Sequence, residues 1–429
     1  MDLVKKEIID KKHPLYNECD ELSFLSKNLY NSILYVIRQH HFETSKMLNN
    51  PYPIIKHLPD YKALPAKVGN QILMLVLKNY KSFFRLKDKG YKNAKIPGYL
   101  DKFDGRFIVT YEKGSINKKD FKKTKRIKLS MTNIWLDPHD IPVDSIKQVR
   151  IVPRNNQYII ETVYYIKDVE MLEYNDRVAA IDLGVNNLMT VSYNNPDSKP
   201  FIINGKPVKS INQYSNKLIA KEQEKIDNHN NRCKEYTNYK KSLNKTKSKQ
   251  KRRVLKDNLK YKPIQKTNKK SKIYNKRENK LNDYIHKSTR LVVNQLVSNN
   301  IHTLVIGYNK GWKQDIKIGK VNNQKFVNIP YMKIKDQLIY KCALKGINVI
   351  INEESYTSKC SFLDNEPVKK HKTYKGQRIC RGLFRTSSGK LINADLNGSL
   401  NILKKAVPKA FNNGIEGLAV NPVRINTNR

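Results

Sequence analysis

A chain of 429 residues is long enough for two or three domains, and 39% hydrophobic residues can fill cores beneath a large polar surface. Its 83 Lys and Arg against 38 Asp and Glu leave a formal charge of +45, which repels itself unless a polyanion neutralises it. Nucleic acid is the expected partner, since each phosphate bound releases counterions; an unremarkable cationic surface or a ribosome-associated protein is the bland alternative. No apolar run of about 18 residues is present to span a membrane. Met1-Asp-Leu-Val-Lys-Lys lacks a signal core and reads as mature sequence. The odd set Cys19, Cys233, Cys342, Cys360 and Cys380 reads as reduced intracellular thiols rather than a disulfide framework.

Residues 1–165 read as a mixed, mainly binding half. Leu22, Leu25, Leu29 and Ile33 recur at helical spacing within Leu22–Gln39, as do Val68, Ile72, Leu75, Val76 and Phe83 within Ala66–Leu86, so a small helical bundle is expected. From Arg106 to Tyr165 the pattern turns to strands. Arg106-Phe-Ile-Val-Thr-Tyr, Arg126-Ile-Lys-Leu and Gln157-Tyr-Ile-Ile-Glu-Thr-Val-Tyr-Tyr are β-rich, with turn residues such as Asn155-Asn156 between them. A small antiparallel barrel fits, its first strand supplied by Leu3–Ile9.

A new domain begins at Arg177. Val178-Ala-Ala-Ile-Asp-Leu-Gly reads as a buried strand and glycine turn, with Val185-Asn-Asn-Leu-Met-Thr-Val-Ser returning as its hairpin partner. Ser210–Lys280 is a long polar helical segment; from Lys240 to Lys280 its acids are only Asp257 and Glu278. A charge run is by default a solvated face or a disordered tail. Here Tyr239, Leu243, Val254, Leu259, Tyr261 and Tyr274 are interleaved with it, which favours a helical hairpin lining a nucleic-acid channel. Asn282–Ser298 is amphipathic, with Ile285, Ser288, Val292 and Leu296 on one stripe. Thr303-Leu-Val-Ile, a helix near Tyr331–Lys345 and Ile347-Asn-Val-Ile-Ile then alternate as in an α/β sheet. Asn421–Arg429 is polar and expected to be loose.

Hydrolysis of a phosphodiester by a pair of divalent ions needs the two about 3.5–4 Å apart. Hard Mg2+ prefers carboxylate oxygens, which must converge from separate elements. Asp182 ends a strongly apolar strand, where an unpaired carboxylate is costly and a metal removes that cost. Gly184 permits the turn that follows. A strand-end Asp capping the turn is the other reading, and actin-like ATPases also use such a strand. In Leu391-Ile-Asn-Ala-Asp-Leu-Asn-Gly-Ser-Leu-Asn-Ile-Leu-Lys-Lys, Asp395 lies at or near the start of a helix with apolar face Leu396, Leu400 and Leu403. Taken alone it reads as an N-cap, worth about 1 kcal/mol.

Ala180-Ile-Asp-Leu-Gly-Val-Asn-Asn-Leu, Tyr356-Thr-Ser-Lys and Asn393-Ala-Asp-Leu-Asn-Gly-Ser-Leu-Asn-Ile, in that order, resemble the RuvC motifs of the transposon-encoded TnpB family, relatives of type V CRISPR nucleases. Leu64-Pro-Ala-Lys-Val and Phe83-Phe are similar to that family's N-terminal helical region. The resemblance implies an α+β N-terminal half followed by an α/β RNase H-like RuvC domain. The first would be a wedge β-barrel domain (1–15 and 101–170) with an inserted helical recognition domain (16–100). The second would span 171–420, with a basic helical insertion at 210–280 and a lid or finger-replacing segment at 360–390, before a flexible tail at 421–429. It further implies an RNA-guided DNA endonuclease of an insertion-sequence transposon. Such a protein binds a guide RNA, recognises a short target-adjacent motif in double-stranded DNA, and cleaves with two Mg2+ ions, for which Mn2+ can substitute. The expected setting is the prokaryotic cytoplasm, acting at the nucleoid as a monomer with its RNA.

Two departures from the family pattern matter. The middle glutamate usually follows the strand equivalent to Thr303-Leu-Val-Ile, where this chain has Gly307, which cannot ligate a metal. Some relatives, the Fanzor proteins among them, supply it from the strand before Tyr-Thr-Ser. That stretch here is Asn352-Glu353-Glu354-Ser355-Tyr356-Thr357. Adjacent strand residues face opposite ways. The Glu-x-Tyr-Thr-Ser spacing selects Glu354, with Glu353 in reserve and a surface acidic pair as the bland reading. The expected catalytic and Mg2+-binding set is thus Asp182, Glu354 and Asp395.

The second departure is zinc. In place of two Cys-x-x-Cys pairs, the window holds Cys360, Cys380 and His371, short of four ligands, so no zinc is assigned. The replacing segment carries Tyr374, Arg378, Arg381 and Arg385 and reads as a lid, a backbone contact or a plain ordered loop.

A guide–target heteroduplex is gripped through its backbone; Lys251, Arg252, Arg253, Arg378 and Arg381 are candidates for that contact. Reading an adjacent motif needs base-edge donors. Tyr52, Lys67, Gln71 and Lys78 fall where the family's motif-reading helices lie, although helix solvation explains them equally well. One rival is a nuclease-inactive RNA-guided DNA-binding repressor of the same fold, which Gly307 keeps open and Glu354 opposes. A DNA-strand transposase could use the same acids, although His40-His41 is not the His-x-His pair of a single-strand transposase. A purely structural RNA-binding protein is the third.

Overall fold

The structure is a computed structural model that describes residues 1–119, 121–244, 263–264, 266–309, 311, 319–412 and 414–427. It divides into two units, Met1–Lys167 and Asp168–Arg429. Among the described residues no helix is long and apolar enough to cross a membrane.

The strands of the first unit are β1 (Asp2–Ile9), β2 (Val109–Glu112), β3 (Ile116–Asn117), β4 (Ile127–Leu129), β5 (Trp135–Leu136), β6 (Ile146–Arg154) and β7 (Gln157–Tyr165). They form two antiparallel sheets, β1-β7-β6-β2 and β3-β4-β5. β1 pairs with β7 from Asp2–Tyr165 to Ile9–Tyr158. Asn155 and Asn156 join β6 to β7 with φ of +49° and +61°, the left-handed conformation that a two-residue hairpin loop requires and asparagine tolerates. The helices Tyr16–Thr44 and Ala66–Asp88 bury Leu29, Ile33, Val68, Ile72, Val76 and Tyr80 in one core with Val109, Val149 and Ile151 of the sheet.

The second unit adds β8 (Val178–Asp182), β9 (Asn187–Tyr193), β10 (Phe201–Asn204), β11 (Thr303–Gly307), β12 (Asn348–Asn352), β13 (Gln377–Cys380), β14 (Leu383–Arg385), β15 (Leu391–Asn393) and β16 (Val423–Ile425). The main sheet runs β12-β11-β8-β9-β10-β16. β8, β9 and β10 are successive antiparallel neighbours, while β11 and β12 lie parallel on the other side of β8. Helices cover both faces. Val178 and Ala180 pack with Val305, Ile402 and Leu403, the last two from the helix Ala394–Ala406. Ala179 and Ile181 pack with Ile285, Val292, Ile334 and Leu338 from the helices Asn268–Ser298 and Tyr331–Ala343. This is the period of two expected of a strand buried on both sides.

The polar segment after Ser210 forms parts of two long helices, Lys206–Asn244 and Asn268–Ser298. Lys251, Arg252 and Arg253, proposed between them, lie outside the described residues. Residues 360–390 contain β13 and β14, which with β15 form a three-stranded sheet; Phe362, Phe384 and Ile392 pack there with Leu396 and Leu400. The C-terminal residues depart from expectation. Instead of a loose tail at 421–429, Val423–Ile425 pairs in parallel with Phe201–Ile203, and Val423 donates to the Pro200 carbonyl at 2.9 Å. The open edge of β10 supplies backbone partners that composition alone does not reveal.

Candidate active site

The alternation along β8 decides where Asp182 points. It shares the face of Val178 and Ala180, and so meets the helix Ala394–Ala406. A Cβ built on Gly398 of that helix would stand 3.0 Å from Asp182 Oδ2, so the glycine lets the carboxylate lie against the helix.

The helix is fixed by its own polar residues. Asn393, not Asp395, is the N-cap, accepting hydrogen bonds from the backbone N–H groups of Asp395 and Leu396. Capping is therefore satisfied without the Asp395 carboxylate, which stands in the first turn with other partners. Ser399 donates to the Ala180 carbonyl at 3.0 Å and shares a 2.7 Å hydrogen bond with Ser192, tying the helix to β8 and β9. Asn397 and Asn401 both donate to the Cys360 carbonyl, and Asn401 also to that of Thr357. Those bonds hold the turn that follows Glu354.

Glu354 lies two residues beyond β12, whose Asn352 is paired with Gly307. A Cβ on Gly307 would stand 2.8 Å from Glu354 Oε2 and 2.5 Å from Ile402 Cδ1. The glycine thus leaves the space that the glutamate fills. Asn309 accepts from the Glu354 N–H at 3.1 Å and donates to its Oε1 at 3.4 Å. The Thr357 hydroxyl donates to the Glu354 carbonyl at 2.8 Å, a physical role for the threonine of Tyr-Thr-Ser. Between them Tyr356 takes a left-handed φ of +68°, a conformation that costs about 1–2 kcal/mol for an L-residue. Glu353 turns the other way. It is exposed and pairs with Lys405 at 2.7 Å, a contact that with Ser355 holds its carboxyl below the usual range.

Burial raises the Asp182 carboxyl well above its ordinary pKa, and the charges of Glu354 and then Asp395 push it the same way, with Arg378 opposing. Burial also lifts Glu354 to about 7, with Glu353 adding to the rise and Lys405 opposing it. Asp395 accepts from Asn187 Nδ2 at 2.6 Å on one oxygen and from Arg378 Nη2 at 3.1 Å on the other. Among the described residues, no group of three or more His, Cys, Asp or Glu is arranged to hold a metal ion. The donors are of the kind Mg2+ takes, carboxylate oxygens from three elements, and at Asp182 a hard divalent ion would relieve the repulsion from Glu354 and Asp395.

Beside Asp395 lies a cleft of about 890 Å³ lined by Lys206, Lys209, Lys325, Arg378, Arg381 and Arg424. The crowding of cations is felt at Lys209, whose ammonium is held below its usual pKa by burial first, then by Lys325, Arg381 and Lys206. A polyanion in the cleft would relieve that repulsion.

The remaining candidates stand elsewhere. In the first unit Gln71 donates to Glu112 at 2.6 Å, Lys67 lies against Gly114, Lys78 is exposed, and the Tyr52 ring meets Tyr61 edge-on. Cys360 is buried, its thiol facing the carbonyls of Pro367 and Lys369; Cys380 is exposed, and His371 lies 2.8 Å from the Pro367 carbonyl. The sequence does not single out Asn187, Asn309, Lys209, Lys325 or Arg424. Their one visible signal is position, Asn187 in the Val-Asn-Asn turn and Asn309 just after β11.

Residues 161–313 match the family OrfB_IS605, described as a probable transposase, and residues 331–402 match the Cas12f1-like TNB domain. No curated protein matches the chain. Solved structures similar to it include a Cas12f1–sgRNA–target DNA complex, at 13% identity over 89% of this chain and 81% of that one, with a TM-score of 0.47. A CRISPR-Cas12f ternary complex is similar at 13% identity, 90% and 80% coverage and a TM-score of 0.33. CasPhi-2 (Cas12j) bound to crRNA and phosphorothioate DNA is similar at 9% identity, 98% and 92% coverage and a TM-score of 0.41. Asp182 falls within the first family match, and Glu354 and Asp395 within the second. A segment similar to a transposase family is thus followed by one similar to a Cas12f1-like TNB domain.

Proposed function

We propose that this chain is an RNA-guided DNA endonuclease of an insertion-sequence transposon, with Asp182, Glu354 and Asp395 as its catalytic acids. The observation that supports the reading is that all three adjoin the helix Ala394–Ala406, Asp182 against Gly398, Glu354 against Gly307 beside Ile402, and Asp395 in its first turn, next to a cleft of cations. Three antiparallel strands followed by two parallel ones support an RNase H-like core. The guide RNA is supported by the TnpB likeness and by a charge of +45.

The three carboxylates would hold two Mg2+ ions, which when bound supply an activated water and neutralise the departing oxygen. Arg381, Lys209 and Lys325 line the cleft and would bind backbone phosphates beside Asp395. Arg378 pairs with Asp395 and lines the same cleft, so it would hand that pairing over to a phosphate. Asn309 orients Glu354 from both its backbone and its side chain.

The test is plasmid cleavage by the protein purified with its co-expressed RNA. Asp182→Ala, Glu354→Ala and Asp395→Ala should each abolish Mg2+-dependent cutting of a matched plasmid while RNA binding persists. Loss of cutting in Glu353→Ala with normal cutting in Glu354→Ala would reassign the middle acid. Normal cutting in both would end the three-acid reading.

A further inference from the structure

We infer that Asn187 is a positioning residue for Asp395, and that Arg424 on the edge strand β16 sets which way Asn187 faces; this rests on the catalytic reading of Asp395 above. Asn187 opens β9 and is buried, opposite Asn204 where the β9–β10 register shifts. Its Nδ2 donates to Asp395 Oδ2 at 2.6 Å, and its Oδ1 accepts from Arg424 Nη2 at 3.3 Å.

The two ends of an asparagine amide are opposite in kind, so its partners decide its orientation. A guanidinium only donates, and it therefore requires Oδ1 on its own side. That leaves the N–H group facing the carboxylate. The flipped amide would set oxygen against oxygen at Asp395 and N–H against N–H at Arg424, two repulsive contacts replacing two attractive ones.

Asp395 depends on such outside support because Asn393 caps its helix. Its other oxygen is held by Arg378. Arg424 is itself held in place. β16 pairs with β10, Asn204 donates to Asn426 at 2.9 Å, and Thr427 is buried within reach of Ser288. The edge strand thus reaches the chemistry through two hydrogen bonds, the arrangement by which outer partners orient metal-binding carboxylates.

The test is Mn2+ binding to the nucleic-acid-free protein, followed by electron paramagnetic resonance, beside plasmid cleavage by the RNA complex. Asn187→Ala should weaken Mn2+ binding by about 10–100-fold, and Arg424→Ala should weaken it in the same direction. The double variant should be no weaker than Asn187→Ala alone, since Arg424 acts through Asn187. Arg424→Lys, still a pure donor, should retain Mn2+ binding. Additive losses, or Mn2+ binding unchanged in Asn187→Ala, would overturn the inference; so would an Arg424→Ala defect seen solely as weaker, less salt-dependent DNA binding. Should Asn187→Ala fail to fold, Asn187→Ser and Arg424→Ala carry the comparison. If Asp395→Ala still cuts, the catalytic reading fails. If Asp395→Ala is inactive while Asn187→Ala and Arg424→Ala match the wild type, the relay alone fails.

Discussion

Gly307 and Glu354 compete for one volume, since a Cβ on the glycine would stand 2.8 Å from the glutamate's Oε2. Gly307→Ala should therefore displace Glu354 or Ile402. Overpacking of this kind costs about 1–3 kcal/mol. The variant should melt at a lower temperature and cleave DNA more slowly, whereas Glu353→Gln, altered on the solvent side, should cleave normally. Wild-type cleavage and melting in Gly307→Ala would mean that the two side chains do not share this space.

Asp182 is placed against its own electrostatic interest. Burial and the neighbouring Glu354 and Asp395 all oppose its charge. In a chelator-containing buffer Asp182→Asn should raise the melting temperature, because it removes the repelled charge while keeping the shape. The same variant should abolish cleavage. A lower melting temperature would show that the carboxylate has a stabilising partner instead.

Lys341 is buried between two helices, where its ammonium donates to the His286 carbonyl at 2.9 Å and to Thr289 Oγ1 at 2.7 Å. Burial, then Arg290, pulls its pKa from 10.5 to about 8. Between those values the unfolded chain holds a proton that the folded chain has released, so stability at this group rises as pH climbs above about 8 and is flat below it. Urea melts of Lys341→Met should lose this slope. An unchanged slope would move the titration to another group.

The cationic cleft predicts a salt signature. Arg381→Ala and Lys325→Ala should each lower the dependence of log affinity for target DNA on log salt by about one unit if each meets one phosphate. Titrations at several salt concentrations read this directly. Parallel salt slopes for wild type and both variants would place the DNA elsewhere.

Asp182 stood out in the sequence because apolar strands advertise a misplaced charge. Val-Ala-Ala-Ile-Asp could hardly be anything but a buried strand ending in a carboxylate. Asp395 was harder, since an N-cap explained it alone. Asn393, two residues earlier, takes the cap, and that role shows only once the helix start is known. β6 escaped notice because charged residues and Pro153 interrupt its alternation, although the Asn-Asn turn after it was visible. The contacts of Asn187 and Arg424 join residues far apart in the chain, across strands whose pairing a linear pattern does not contain.

The turn after Glu354 is knit by amides and by one enclosed carboxylate. Asn397 and Asn401 hold the Thr357 and Cys360 carbonyls, and Glu366 accepts the N–H groups of Ser361 and Lys375. None of these bonds draws on a thiolate or a bound ion. Sequestering agents therefore have no purchase on them, and this corner should keep its shape when one is added. On the proposed metal-dependent reading, a chelator would stop strand scission while leaving this supporting architecture intact.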